Sequence, residues 1–331
     1  MERQTDAMRE GGEVMTVNKT GFMPEGMEDT EYGAYTHTDL ERAIQNRTVL
    51  SGVVVLCDHK STLWVELGCM RGRIEREEVQ LCREGEEVRD IAVITRVGKT
   101  VSFVVRGFTH TDDGEEIAIL SRREAQRMCR ETFLDRLCPG DVIRARVTHL
   151  EPFGAFVDVG CGIVSMLPID SISVSRISHP EDRFAVGMPI WVVIRSISPG
   201  DRICVTHKEL LGTWEENAAS FQPGQTVTGI VRSIESYGVF VELTPNLAGL
   251  AEYRDDLHIG QRAAVYIKSM IPARMKVKLA LIDVYRGSGG NGQMRYYLPD
   301  AVGGRGVPHL DRWRYSPDGA EKCVESVFDL S

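Results

Sequence analysis

PGDVIRARVTHLEPFGAFVDV (residues 139–159) and PGQTVTGIVRSIESYGVFVEL (residues 223–243) align without a gap at an offset of 84 positions. Pro139/Pro223, Gly140/Gly224, Val147/Val231, Glu151/Glu235, Gly154/Gly238, Phe156/Phe240 and Val157/Val241 are identical. Phe153/Tyr237 and Asp158/Glu242 are conservative pairs. A degraded third copy lies upstream: TVLSGVVVLCDHKSTLWVELG, residues 48–68, joins the alignment once one residue is inserted before Ser61. Gly52 then stands for Gly229, Trp64 for Phe240 and Glu66 for Glu242. Self-similarity at a fixed spacing marks a repeated structural unit.

Each copy has the period of a strand. Val142, Arg144, Arg146 and Thr148 alternate with Ile143, Ala145, Val147 and His149, and a Pro-Phe-Gly turn leads into Ala-Phe-Val-Asp-Val. Two such runs across a glycine turn predict an antiparallel pair. Gly229 falls inside a strand, where a missing side chain marks a bend or bulge. Further strands are expected at 162–167, 190–195 and 202–206, and in the last copy at 247–251, 262–268 and 275–281. Five short strands in about 70 residues fit the five-stranded OB barrel. The fold class is therefore dominated by β structure: three tandem five-stranded OB-fold barrels joined by short amphipathic helices.

The connectors read as helices. Ser121–Leu137 places Ala125, Met128, Phe133, Leu134 and Leu137 at three- and four-residue steps, and Lys208–Phe221 gathers Leu210, Leu211, Trp214, Ala218 and Phe221 on one side. Thr38-Asp-Leu-Glu reads as a capping box for a further helix before the first barrel. The expected organisation is an acidic, largely disordered arm at 1–45, a degenerate first barrel at 46–121 and a helical connector at 122–137. A second barrel at 138–206, a connector at 207–221 and a third barrel at 222–285 follow. Residues 286–331 form a Gly-rich linker and an aromatic tail around Trp313, Arg314 and Tyr315, which would dock on a barrel or on a partner.

The net charge of −9 argues at first against a nucleic-acid partner. Residues 1–45 alone hold ten acidic and four basic side chains, however. The remaining chain is close to neutral, so a basic face on it is allowed. The N-terminal stretch lacks the apolar core of a secretory signal, and no apolar run is long enough to span a membrane. The eight cysteines form no C-x-x-C pair and no zinc-finger spacing, so they read as reduced thiols, with no metal and no cofactor expected. Walker, Rossmann, Gly-x-Ser-x-Gly and His-Glu metal motifs are missing, so no enzyme and no small-molecule substrate is expected.

The repeats resemble the RNA-binding domain named after bacterial ribosomal protein S-one. The residues that carry the likeness are Phe153-Gly-Ala-Phe156-Val and Tyr237-Gly-Val-Phe240-Val, with the closing strands Arg202-Ile-Cys-Val-Thr and Lys276-Val-Lys-Leu-Ala. The connector at 206–217 resembles that of the short S-one-like small-subunit ribosomal proteins of Gram-positive bacteria. The likeness covers residues 46–285. It departs from the family pattern at the histidine that follows Gly-Leu, read as Glu75, Ser165 and Glu252 in the three copies, and at Ser61, which replaces the first aromatic of the first barrel.

The resemblance implies a cytoplasmic RNA-binding protein of translation, with single-stranded RNA, in particular mRNA, and the small ribosomal subunit as partners and no membrane. Splayed bases need stacking surfaces and a charged backbone needs cations. Phe153, Phe156, Tyr237 and Phe240 are the candidate platforms, and Arg202 and Lys276 the candidate closing-strand cations. Arg144, Arg146, Arg195, Arg232 and Lys268 are further candidates for a phosphate track, with His179 and Trp64 as additional contacts. The competing reading makes these aromatics core side chains, since Phe is usually buried. Two other functions stay open: a non-ribosomal RNA-binding regulator of RNA processing, decay or transcription, and a protein-interaction scaffold.

Overall fold

The computed structural model describes residues 22–27, 34–83, 85–198, 202–288, 294–299 and 307–328. Helix α1 (His37–Asn46) precedes a first barrel of β1 (Val49–Cys57), β2 (Leu63–Glu66), β3 (Arg71–Ile74), β4 (Thr100–His110) and β5 (Glu116–Ser121), with the short helix α2 (Asp90–Ile94) between β3 and β4. Helix α3 (Arg122–Thr132) leads to a second barrel of β6 (Val142–Glu151), β7 (Gly154–Asp158), β8 (Val164–Pro168), β9 (Pro189–Ser198) and β10 (Arg202–Thr206). Helix α4 (Trp214–Ala218) leads to the third, β11 (Thr226–Glu235), β12 (Gly238–Thr244), β13 (Leu247–Ala251), β14 (Gln261–Ile271) and β15 (Lys276–Ser288). A ribbon of β16 (Arg312–Arg314) and β17 (Glu325–Val327) follows.

All three barrels close in one order: first strand to second, second to third, third to fifth, fifth to fourth, and fourth back to the first. The third and fifth strands run parallel and the other pairs antiparallel. This is the expected OB topology. Alternate residues fill each interior: Ile143, Ala145, Val147, Ala155 and Val157 in the second barrel, Val231, Val239 and Val241 in the third, Val54, Leu63 and Val65 in the first. Each buried Val or Leu contributes about 1.5–3 kcal/mol of transfer free energy. The first strand of every barrel slips register at one place, between Val54 and Leu56, Val147 and His149, and Val231 and Ser233. The bulge expected at Gly229 thus lies at Arg232. Gly229 instead sits where a β-carbon would come within 2.6 Å of the Glu242 carbonyl oxygen.

The connectors differ from the expected continuous helices. Helix α3 ends at Thr132 and passes into a 3-10 turn at Leu134–Arg136. The stretch Lys208–Phe221 is broken at Gly212, whose φ is +83° and whose carbonyl accepts from Asn246 Nδ2 at 2.8 Å. A 3-10 turn (Lys208–Leu211) precedes the break, and α4, capped reciprocally by Thr213 and Glu216, follows it. The first helix is capped by Thr36 rather than Thr38, because the Thr36 hydroxyl accepts from Asp39 N while Asp39 accepts from Thr36 N at 3.0 Å.

Both flanking segments are partly built into the barrels. Within the arm expected to be disordered, Phe22 joins the second-barrel core and residues 37–45 are helical. The rest of that expectation, residues 1–21 and 28–33, lies outside the described residues, as do residues 289–293 of the expected linker. Trp313 and Tyr315 dock on a barrel: both are buried in the core cluster of the third. Tyr315 Oη donates to the Asn246 carbonyl at 2.6 Å.

Candidate nucleic-acid interface

The turn between the first two strands of the second and third barrels sets the geometry. A β-carbon at Gly154 would lie 2.4 Å from the Leu167 carbonyl oxygen, and one at Gly238 would lie 2.5 Å from that of Ala251. Only glycine lets the turn pass so close to the third strand. That contact swings the preceding aromatic clear of the barrel: Phe153 is 56% exposed and Tyr237 67%. The second aromatic of each copy is half-buried, facing out between inward neighbours. Phe153 and Phe156 meet edge to face at 6.1 Å and 88°, Tyr237 and Phe240 at 6.3 Å and 88°. In the free protein the inner ring thus supports the outer one, and each pair offers apolar faces to solvent.

Strand register extends each platform into a row around the barrel. In the second barrel His149, Phe156, Met166, Cys204 and Ser196 are successive partners; in the third they are Ser233, Phe240, Leu250, Lys278 and Ser269. His149 lies 6.4 Å from Phe156 at a 30° tilt, and its Nε2 is 2.7 Å from Glu151 Oε1. Lys276 and Lys278 are exposed and share one face of the closing strand, as Arg202 and Cys204 do in the second barrel. His149 and Lys278 did not emerge from the sequence. Their repeat partners are Ser233 and Cys204, so self-similarity gave no signal for either.

The remaining candidates are scattered. Arg195 is exposed and its Nη1 donates to Ser171 Oγ at 2.9 Å. Lys268 is ion-paired with Glu252. Arg144 lies over Trp191 at 5.2 Å. Arg146 donates to the carbonyls of Gly187 and Glu25 at 3.0 and 2.6 Å. His179 caps the 3-10 turn Pro180–Asp182 by accepting from Glu181 N at 3.3 Å. In the first barrel Trp64 is half-buried, donates to Asp58 at 3.2 Å and carries Arg71 at 5.3 Å over its ring.

Two sequence readings need correction. Arg232 does not belong to a phosphate track: it is buried, donating to Glu242 Oε2 at 2.9 Å and Asp182 Oδ1 at 2.8 Å. As the bulged residue of its strand it turns toward the second barrel instead of solvent. The register also places Pro168, not Ser165, opposite the position of Glu75 and Glu252, because Met166 pairs with Phe156 as Leu250 pairs with Phe240.

Buried polar contacts hold the barrels together. Arg183 of the second barrel is ion-paired with Glu242 of the third, alongside Arg232. Asn246, fully buried, donates to the carbonyls of Lys208 and Gly212 and accepts from Val174 N at 2.9 Å. Between the first two barrels Glu25 accepts from Arg122 Nε at 2.7 Å and from Ser102 N at 3.0 Å, while its own N–H donates to Asp158 at 2.7 Å. Burial, with the Glu25 charge second, pushes the Asp158 carboxyl up to about 7.

The fold and this face define a tandem OB-barrel protein with a repeated aromatic platform. The family model described as the S1 RNA binding domain matches residues 137–208, the second barrel. The match supports the resemblance at the second copy of the repeat. Over 196 residues the chain is 31% identical to the small ribosomal subunit protein bS1 homolog of Bacillus subtilis, covering 56% of this chain and 49% of that one. Over 276 residues it is 26% identical to small ribosomal subunit protein bS1 of Staphylococcus aureus, covering 78% and 66%. The chain thus spans about half to two thirds of the length of these curated relatives. A solved structure of a multidomain protein with nucleic acid binding domains from Streptococcus pneumoniae overlaps 71% of this chain and 73% of that chain at 16% identity. Its TM-score is 0.24.

Proposed function

We propose that the chain holds single-stranded RNA, mRNA above all, across the second and third barrels and acts at the small ribosomal subunit in translation. The observation that carries this reading is the repetition of one edge-to-face aromatic pair, outer ring exposed, at equivalent turns of two barrels. Bases stack on such faces with little regard for sequence. Arg202, Lys276 and Lys278 on the closing strands supply charge for the backbone. The S1 domain match and the ribosomal names of the relatives support the same partners. No catalytic step is part of the reading, and it places the protein in the cytoplasm; no helix among the described residues is long and apolar enough to cross a membrane.

The first barrel takes a different part. At its bulge it exposes Val55 and Leu56 where the second barrel carries Thr148 and His149. Ser61 replaces the outer aromatic. An apolar edge without the platform suits docking to protein better than holding RNA. Sedimentation of cell extracts through a sucrose gradient tests the ribosomal part. The reading requires a fraction of the protein to travel with small subunits. Protein confined to the top of the gradient while still binding RNA would replace it with the non-ribosomal regulator, and failure to bind RNA would leave the interaction scaffold.

A further inference from the structure

A thiol, a carboxylate and an imidazole converge where the C-terminal segment meets the second barrel. Cys138 and Asp141 flank the Pro139-Gly140 turn that opens β6. His309 is brought to them by backbone pairing: Val142 N donates to the Pro308 carbonyl at 2.8 Å, and Leu310 N to that of Gly140 at 2.9 Å. Cys138 Sγ lies 3.3 Å from Asp141 Oδ2, and His309 Nδ1 lies 2.7 Å from Asp141 Oδ1. One ligand atom from each residue falls within 4.8 Å of the other two. Asp141 and His309 are buried and Cys138 is half-buried.

These are zinc donors. Tetrahedral zinc, with bonds of about 2.3 Å to sulfur and about 2.0–2.1 Å to nitrogen or oxygen, sets neighbouring donors roughly 3.3–3.6 Å apart. The sulfur lies 3.3 Å from one carboxylate oxygen and the imidazole 2.7 Å from the other, so one oxygen, the sulfur and the imidazole, now within 4.8 Å of one another, have to adjust to that spacing around the ion. The other nitrogen of His309 gives an independent pointer. Nε2 is buried and makes no hydrogen bond of good geometry, although Asp311 Oδ1 is only 3.3 Å away. With Nδ1 donating to Asp141, a neutral ring leaves Nε2 bare. With Nδ1 on a metal, the proton moves to Nε2 and faces Asp311, the carboxylate partner that metal-bound histidines regularly have.

We propose that Cys138, Asp141 and His309 form a zinc site, completed by water, that fastens residues 307–328 to the second barrel. Binding converts the Cys138 thiol to a thiolate and releases its proton to solvent. The spacing of the three ligands, with His309 168 positions after Asp141, hides the site from any local motif.

The test uses the full chain, stripped with a chelator and titrated with Co²⁺ and then Zn²⁺. One cobalt per chain should bind, with a thiolate-to-cobalt absorption band that zinc abolishes. Zinc should slow amide exchange at Leu310. Cys138→Ser should lose the band, and Asp311→Asn should weaken metal binding about 10-fold while the fold stays intact. Because the unmodified chain is measured first, a variant that fails to fold does not blunt the test. No band, cobalt well below one per chain, or an undiminished band in Cys138→Ser would overturn the proposal.

Discussion

Arg232 of the third barrel donates to Asp182 of the second at 2.8 Å, across the seam between two aromatic platforms. Glu242 receives Arg232 on one side and Arg183, from the second barrel, on the other. All three of these residues, Arg183, Arg232 and Glu242, are buried. The seam therefore fixes the second and third barrels against each other, and under the proposed function it sets how their two platforms meet one strand of RNA. Arg232→Ala leaves Glu242 and Asp182 short of a partner, which should cost about 3–5 kcal/mol of stability. The salt dependence of RNA binding by the folded variant should stay unchanged. Urea denaturation alongside RNA titration checks both; a flatter salt dependence with normal stability would return Arg232 to the phosphate track.

On the third barrel the exposed cations differ in availability. Lys278 faces solvent in the row of Phe240, whereas Lys268 is tied to Glu252. Lys278→Ala should reduce the slope of log K against log[salt] by about 0.7, one phosphate contact on a single strand. Lys268→Ala should change it little. Glu252→Gln should raise affinity at low salt by releasing Lys268. Titrations at several salt concentrations decide the ranking, and equal slopes for both lysine variants would contradict it.

Two buried groups give opposing pH dependences. Asp158, raised to about 7 chiefly by burial, titrates near 4 in the unfolded chain. Its contribution is complete below about pH 4 and is lost as pH rises to about 7. His207 lies edge-on between Phe184 and Tyr296, and burial holds it down at about 4 against about 6.5 unfolded. Its contribution is present above about pH 6.5 and is lost as pH falls through about 4. Relative to wild type, Asp158→Asn should gain stability as pH rises from 4 to 7, and His207→Gln should gain as pH falls from 6.5 to 4. Denaturation curves at stepped pH measure the differences; parallel curves for wild type and variants would contradict these assignments.

The barrels were legible because three properties coincide in one stretch: period-two burial, a glycine turn and recurrence at 84 residues. The outer aromatics were legible for the same reason, as exposed residues that repeat beside Gly154 and Gly238. What pairs across strands was not. Lys278 reaches the row of Phe240 through a parallel pairing of the third and fifth strands, beyond the aligned block. Arg232 looked like a surface cation, since alternation places it outside; the bulge and an acidic neighbour from another barrel turn it inward. The break at Gly212 depends on Asn246, and the ordering of residue 25 on Arg122, each a partner far along the chain.

The account rests on Phe153 and Tyr237 being base platforms, and titration of single-stranded RNA into the Phe153→Ala/Tyr237→Ala double variant tests this most directly. Two stacked bases at about 1–3 kcal/mol each predict a loss of about 2–6 kcal/mol in binding. Both rings are more than half exposed, so the melting temperature should barely move. Unchanged RNA affinity in a double variant that melts far earlier would contradict the account, because the two rings would then be holding the barrels together instead of the RNA.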